Sequence, residues 1–168
     1  GSALDLRGGS HIQLRIALMS DDFESLLRLD SLWVDTAPLL AQRVIAEVVR
    51  ADDPHPARGF TEVEAGRQTD FTCAIRADFQ GGENGFNALR IRTGSETAFR
   101  SLAIGSALQT VEPLRVEQRD GDLVVHLPQR IDADHPQTVY VGFSASVYAL
   151  AWTFDGEVFD AAGQLLPQ

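Results

Sequence analysis

Four histidines, one cysteine and several short runs of acid residues carry the reactive groups of this 168-residue chain. The histidines are His11, His55, His126 and His135. No two of them stand four residues apart, and there is no Cys-x-x-Cys pair, so the spacing of a zinc site is missing. Asp52, Asp53 and His55 are close enough in sequence to share a metal. Pro54 and Pro56 make the same stretch a solvated turn, which is the better reading. Asp120 with Asp122, and Asp132 with Asp134, would suit calcium only with further oxygen ligands and a later glutamate, which neither stretch has. They read as turn residues. His126 falls opposite Leu123, Val125 and Leu127 and is expected on the surface.

Nucleophiles fare no better. Ser95, Ser101, Ser144 and Ser146 lack a Gly-x-Ser-x-Gly context. Cys73 lies on the apolar parity of its segment and reads as a small core residue. Gly81-Gly82-x-x-Gly85 is not followed by lysine or by a predicted helix, so it does not cradle phosphate. No residue is assigned a catalytic, cofactor-binding or metal-binding role. Aromatic residues offer the remaining chemistry. Tyr140 and Tyr148 share the outward parity of one strand but stand roughly 27 Å apart along it, too far for one small sugar. Trp33 and Trp152 read as core or inter-sheet residues.

The elements that would hold these residues are strands. Residues 138–148 read T-V-Y-V-G-F-S-A-S-V-Y. Val139, Val141, Phe143, Ala145 and Val147 take one parity, and Tyr140, Gly142, Ser144, Ser146 and Tyr148 the other. Side chains of a strand alternate faces, so this is a central strand with one apolar face. Phe143 is expected between two sheets, and Ser144 on the opposite face.

Similar alternation marks residues 11–19, 71–79 and 88–93. Residues 26–35 are apolar on both parities, as in a strand covered on both sides. Residues 38–50 are ambiguous, but β-branched Val44, Ile45, Val48 and Val49 favour an irregular entry and then a strand over 43–50. Further strands are expected at 99–104, 114–118, 123–127 and 152–159. Arg119-Asp120-Gly121-Asp122 between two apolar runs is a hairpin signal. About ten short strands with no long helix make an all-β, antiparallel sandwich. The breaker-rich stretch Ala-Asp-Asp-Pro-His-Pro divides the chain into N-terminal strands over 1–50, a linker over 51–68 and a second sandwich over 69–168.

Composition narrows the partners. The formal charge is −10, and all 14 basic residues are arginine. An acidic surface repels nucleic acid and anionic lipid, so neither is expected. No run approaches the 18 apolar residues of a membrane span. One cysteine permits no internal disulfide and leaves the compartment open.

Two parts of the chain resemble known modules. Residues 4–7, 12–18 and 29–34 (L-D-L-R, I-Q-L-R-I-A-L and L-D-S-L-W-V) resemble the C-terminal strands of galactose-binding-like jelly rolls. A complete jelly roll has further strands before residue 10. Residues 85–93 (G-F-N-A-L-R-I-R-T) and 154–160 (F-D-G-E-V-F-D) resemble an immunoglobulin-like module of large secreted or surface proteins of bacteria. The resemblance implies a non-enzymatic, extracytoplasmic β-sandwich, an accessory or structural subunit that acts through a protein partner in an envelope assembly, with no cofactor. The alternative it leaves open is a carbohydrate-binding module.

Overall fold

Strand β8 (Val139–Ser146) sits third of five in its sheet, bonded to β2 (Gln68–Asp78) on one side and β4 (Thr97–Ile104) on the other. The structure is a computed structural model and describes residues 38–119 and 121–161. The expected strands at 11–19 and 26–35, with Trp33 and His11, lie outside the described residues, as does Asp120. The described residues belong to one compact unit, Pro38–Gln168.

Two antiparallel sheets make the fold. The first runs β1-β2-β8-β4-β5, with β1 at Arg43–Arg50 and β5 at Gln109–Thr110. The second runs β6-β7-β3-β9, with β3 at Phe86–Arg92, β6 at Arg115–Arg119, β7 at Asp122–Ile131 and β9 at Asp155–Phe159. Alternation explains the core. Phe71, Cys73, Ile75 and Ala77 of β2 and Val139, Val141, Phe143 and Ala145 of β8 point inward and are buried. They share one apolar cluster with Leu89 and Ile91 of β3, Leu123, Val125 and Leu127 of β7, and Val158 of β9. Both sheets therefore bury one face in the same core, which is the sandwich expected from the pattern.

Three of its aromatic rings pack against one another. Phe71 and Phe143, cross-strand partners in register, stack with centroids 5.6 Å apart. Phe154 meets both edge-on, at 5.2 Å and 5.5 Å. Aromatic pairs in such geometry add to what burial alone contributes.

Local chemistry sets several boundaries as expected. The strand at Arg43–Arg50 forms and pairs with β2. β6 and β7 close as a hairpin with Arg119 opposite Asp122, and Gly121 takes a φ of 83°. That left-handed backbone is what Asp-Gly turns supply. β5 carries no apolar pattern and is not legible in the sequence.

One expectation needs correction. The last strand begins at Asp155, not at residue 152: Trp152 and Phe154 precede it, and Trp152 is exposed. Ser144, on the outward parity of β8 as expected, is nonetheless fully buried. Gln68 Nε2 donates to its Oγ at 3.2 Å, and Thr97 Oγ1 donates to its carbonyl at 3.0 Å. The outer face of this strand carries small residues that longer neighbouring side chains can lie over.

The core predicts a contrast within β8. Phe143→Ala should cost on the order of 3–5 kcal/mol, because a ring between two sheets leaves a cavity. Ser144→Ala should cost about 1 kcal/mol, the scale of one lost hydrogen bond. Equilibrium denaturation measures both, and equal midpoints would place Phe143 outside the core.

Candidate functional site

Loops collect at one end of the sandwich because four strand boundaries meet there. β1 ends at Arg50 and β2 begins at Gln68, while β3 ends at Arg92 and β4 begins at Thr97. Register places Thr97 against Ala145 and Gln68 against Ser146, so the β8–β9 connection leaves from the same end. Loops held by a rigid scaffold are where binding chemistry concentrates.

The loop between β1 and β2, with the adjoining ends of both strands, walls a cleft of about 550 Å³. Its lining includes Arg50, Asp52, Glu62, Glu64, Arg67 and Asp70. Every one of these charges has an opposite partner. Arg50 clamps Asp52 through two guanidinium nitrogens. Arg67 meets Glu64 at 3.1 Å, Arg100 meets Asp70 at 3.3 Å, and Arg58 meets Glu62 at 3.6 Å. The hydrogen bonds from Arg50 hold the Asp52 carboxyl below the usual carboxylate range, against desolvation that pushes it up. The same bonds, with the charge of Asp52, raise Arg50. These pairs are solvent-exposed, so they order the loop more than they stabilise the fold.

Apolar side chains stand out at the same end. Phe60, Tyr148, Leu150 and Trp152 are exposed on the two long loops of this end. Tyr148 is 75 % exposed, and its Cε1 lies 3.4 Å from where a Cβ at Gly66 would stand. Gly66 N donates to Val147 O at 2.8 Å, which ties the two loops together. Trp152 lies over Gly94, where a Cβ would come within 2.5 Å of the indole. Thr93 Oγ1 donates to Gly121 O at 2.7 Å, anchoring the turn beneath that ring.

The residues singled out in the sequence are mostly dispersed. Asp52 is paired as above, and Asp53 N closes a turn onto Arg50 O at 3.2 Å. Asp132 Oδ1 accepts from Asp134 N at 3.1 Å and His135 N at 2.9 Å, the hydrogen bonds of a turn. Burial would raise that carboxyl, but these bonds and the His135 ring together hold it lower than usual. Asp122 lies 3.6 Å from Arg90 on the outer face of the second sheet. His126 is on that face, as expected, 3.2 Å from Glu117 and edge-on to Phe159. Arg90 and Arg92 both reach Glu157 there. This alternation of charge across neighbouring strands is a solvated ion-pair lattice, worth little per pair.

Ser95 Oγ accepts from Ser146 N at 3.2 Å and Ser144 is buried, so these serines serve the scaffold. Tyr140 is half-buried on β8 and Tyr148 is beyond its end. Among the described residues, no three His, Cys, Asp or Glu side chains group as a metal site. No described helix is long and apolar enough to cross a membrane. Sequence reading missed the cleft, Phe60 and Leu150. The available signal was an apolar residue inside a breaker-rich stretch. No protein-family model matches the chain, and no curated protein matches it.

Cys73 is buried, and burial pushes its thiol up from 9.0 to about 12. The protonated thiol is favoured in the fold, so this contribution is complete below pH 9.0 and is lost as pH rises towards 12. A thiol reagent at about pH 8 should leave the native protein unlabelled and modify Cys73 only after denaturant is added. Stoichiometric labelling of the native protein would contradict the buried placement.

Gly94 has a φ of 66° as well as the indole above it. Gly94→Ala should therefore cost roughly 1–2 kcal/mol from backbone strain alone. It should also displace Trp152, seen as a change in tryptophan emission. An unchanged spectrum with an unchanged midpoint would show that Trp152 does not rest on this turn.

Proposed function

We propose that this chain is a non-enzymatic β-sandwich module of immunoglobulin-like type that works outside the cytoplasm by contact with another protein, as an accessory or structural subunit of an envelope assembly. The observation that carries the reading is the loop end. Phe60, Tyr148, Leu150 and Trp152, four of the eight large apolar residues exposed among the described residues, face solvent on its two long loops. Apolar side chains gathered at one end of a rigid domain, rimmed by charge, are typical of protein contact.

The edge of the first sheet supports the same reading. Among the described residues β1 has no strand beyond it, and Ile45 is exposed on it. An edge strand offers unpaired backbone groups to a partner strand. Arg43 and Glu47 on that strand discourage indiscriminate pairing, so a partner must match them. The extracytoplasmic placement is supported by the resemblance of residues 85–93 and 154–160 to modules of secreted bacterial proteins.

Size-exclusion chromatography with light scattering on material from the native host tests the proposal. The chain should elute with a stoichiometric protein partner. Leu150→Asp should release that partner while leaving the thermal midpoint unchanged, because residue 150 has no packing to lose. A clean monomer, or a partner retained by the variant, would overturn the reading.

A further inference from the structure

On the reading of β1 as an open edge that pairs with a protein strand, we propose that this strand is β1 of a second copy of the chain. It adds antiparallel, about a two-fold axis through Ile45. This surface is separate from Leu150, so either contact can exist without the other.

Among the described residues β1 is bonded to β2 on one side only. Ala51 N donates to Asp70 O at 2.9 Å, in step with a register that sets Val49 opposite Thr72 and Glu47 opposite Ala74. Hydrogen-bonded pairs alternate along an antiparallel ladder, so the odd-numbered residues of β1 direct N–H and C=O to β2. The even-numbered Val44, Ala46 and Val48 turn theirs to the free edge. The Arg50 carbonyl points the same way and accepts from Asp53 N at 3.2 Å. That turn closes the Arg50 end and leaves the half of the strand around Ile45 open.

Arg43, Ile45 and Glu47 lie on the outward parity, opposite Asp78, Arg76 and Ala74. All three are exposed, as is Ala46 between them. Their spacing is symmetrical: a base two residues before the isoleucine and an acid two after. An antiparallel copy with Ile45 opposite the partner's Ile45 sets Arg43 opposite the partner's Glu47, and the reverse. Two ion pairs then flank one apolar contact. These are non-hydrogen-bonded positions, where side chains approach closest, while Val44 and the partner's Ala46 exchange backbone bonds. Arg43 Nε donates to Asp78 at 2.8 Å, yet the side chain is 64 % exposed, so N–H donors remain for a second carboxylate. An axis through Glu47 would oppose two carboxylates, and one through Ala46 would set Ile45 against the partner's Glu47. The Ile45 axis alone matches charge to charge and apolar to apolar. Such a contact is isologous and closes at two copies. The −10 charge of each chain opposes association at long range, but salt at ~0.15 M screens exposed charges beyond about 8 Å.

Sedimentation equilibrium of the purified 168-residue chain should show a reversible monomer–dimer equilibrium. Ile45→Lys should leave only monomer. Glu47→Arg sets arginine opposite arginine twice and should weaken the dimer about 10-fold. Arg43→Glu should weaken it likewise, and the two variants mixed should pair with each other. For register, Ile45→Cys should link two chains on mild oxidation, because non-hydrogen-bonded partners stand at disulfide distance. Ala46→Cys should link far less, and the buried Cys73 adds no background. All these positions are exposed, so circular dichroism of each variant should match wild type. A chain monomeric up to millimolar concentration would overturn the proposal. So would a dimer that Ile45→Lys leaves intact, or linkage that favours Ala46→Cys. Each of those results leaves the contact through Leu150 to its own test.

Discussion

The pairing of β8 with both β2 and β4 is the constraint on which the rest depends. It joins segments whose paired residues lie 35 or more positions apart in the chain: Phe71 and Phe99 both face Phe143 across the ladder. Until β8 arrives, the first sheet is two separate pieces, β1-β2 and β4-β5. Long-range closure of this kind is entropically costly, so the burial it brings must offset it. Phe143 supplies that burial. It is fully enclosed, and its ring contacts Phe71 from its own sheet and Phe154 from the approach to β9 in the other.

The loop end inherits its geometry from this closure. Ser146 N bonds to Ser95 Oγ, and Gly66 N bonds to Val147 O, so the end of β8 is tied to the loops on both sides. Tyr148 and Trp152 then project from a short tether whose origin is fixed. The cleft at the same end is ordered by ion pairs rather than by packing. Such pairs contribute little to stability, but they set side-chain positions and leave the local charge balanced. The same end therefore presents two kinds of surface: exposed apolar side chains, and a polar wall of paired charges.

The sheet face formed by Arg90, Arg92, Asp122, Glu117, His126 and Glu157 is a lattice of paired charges. Its charges alternate along neighbouring strands and pair across them. Exposed like charges directly opposite one another would destabilise the ladder, and this arrangement avoids that. The outer face of the first sheet differs, since Gly142 and Ser144 at its centre are buried.

Alternation alone determined the architecture. The parity of Phe71, Cys73 and Ile75, and of Val139, Val141 and Phe143, is a local property that the chain carries wherever it folds. Asp-Gly marked the β6–β7 hairpin because only a few residue types accept its backbone angles. Tertiary structure decided what alternation cannot encode. Parity says which side a residue faces, not what covers that side, so the burial of Ser144 under Gln68 was invisible until β2 was placed beside β8. Trp152 continued the apolar parity of Phe154 and Val158, yet it stands outside the core. The strand starts at Asp155, and the indole rests over Gly94 from another loop. The cleft was hidden for the same reason. Its walls come from residues 50–70, and the Tyr148 ring at the same end comes from nearly 80 residues further along, brought there by pairing that no local pattern reports.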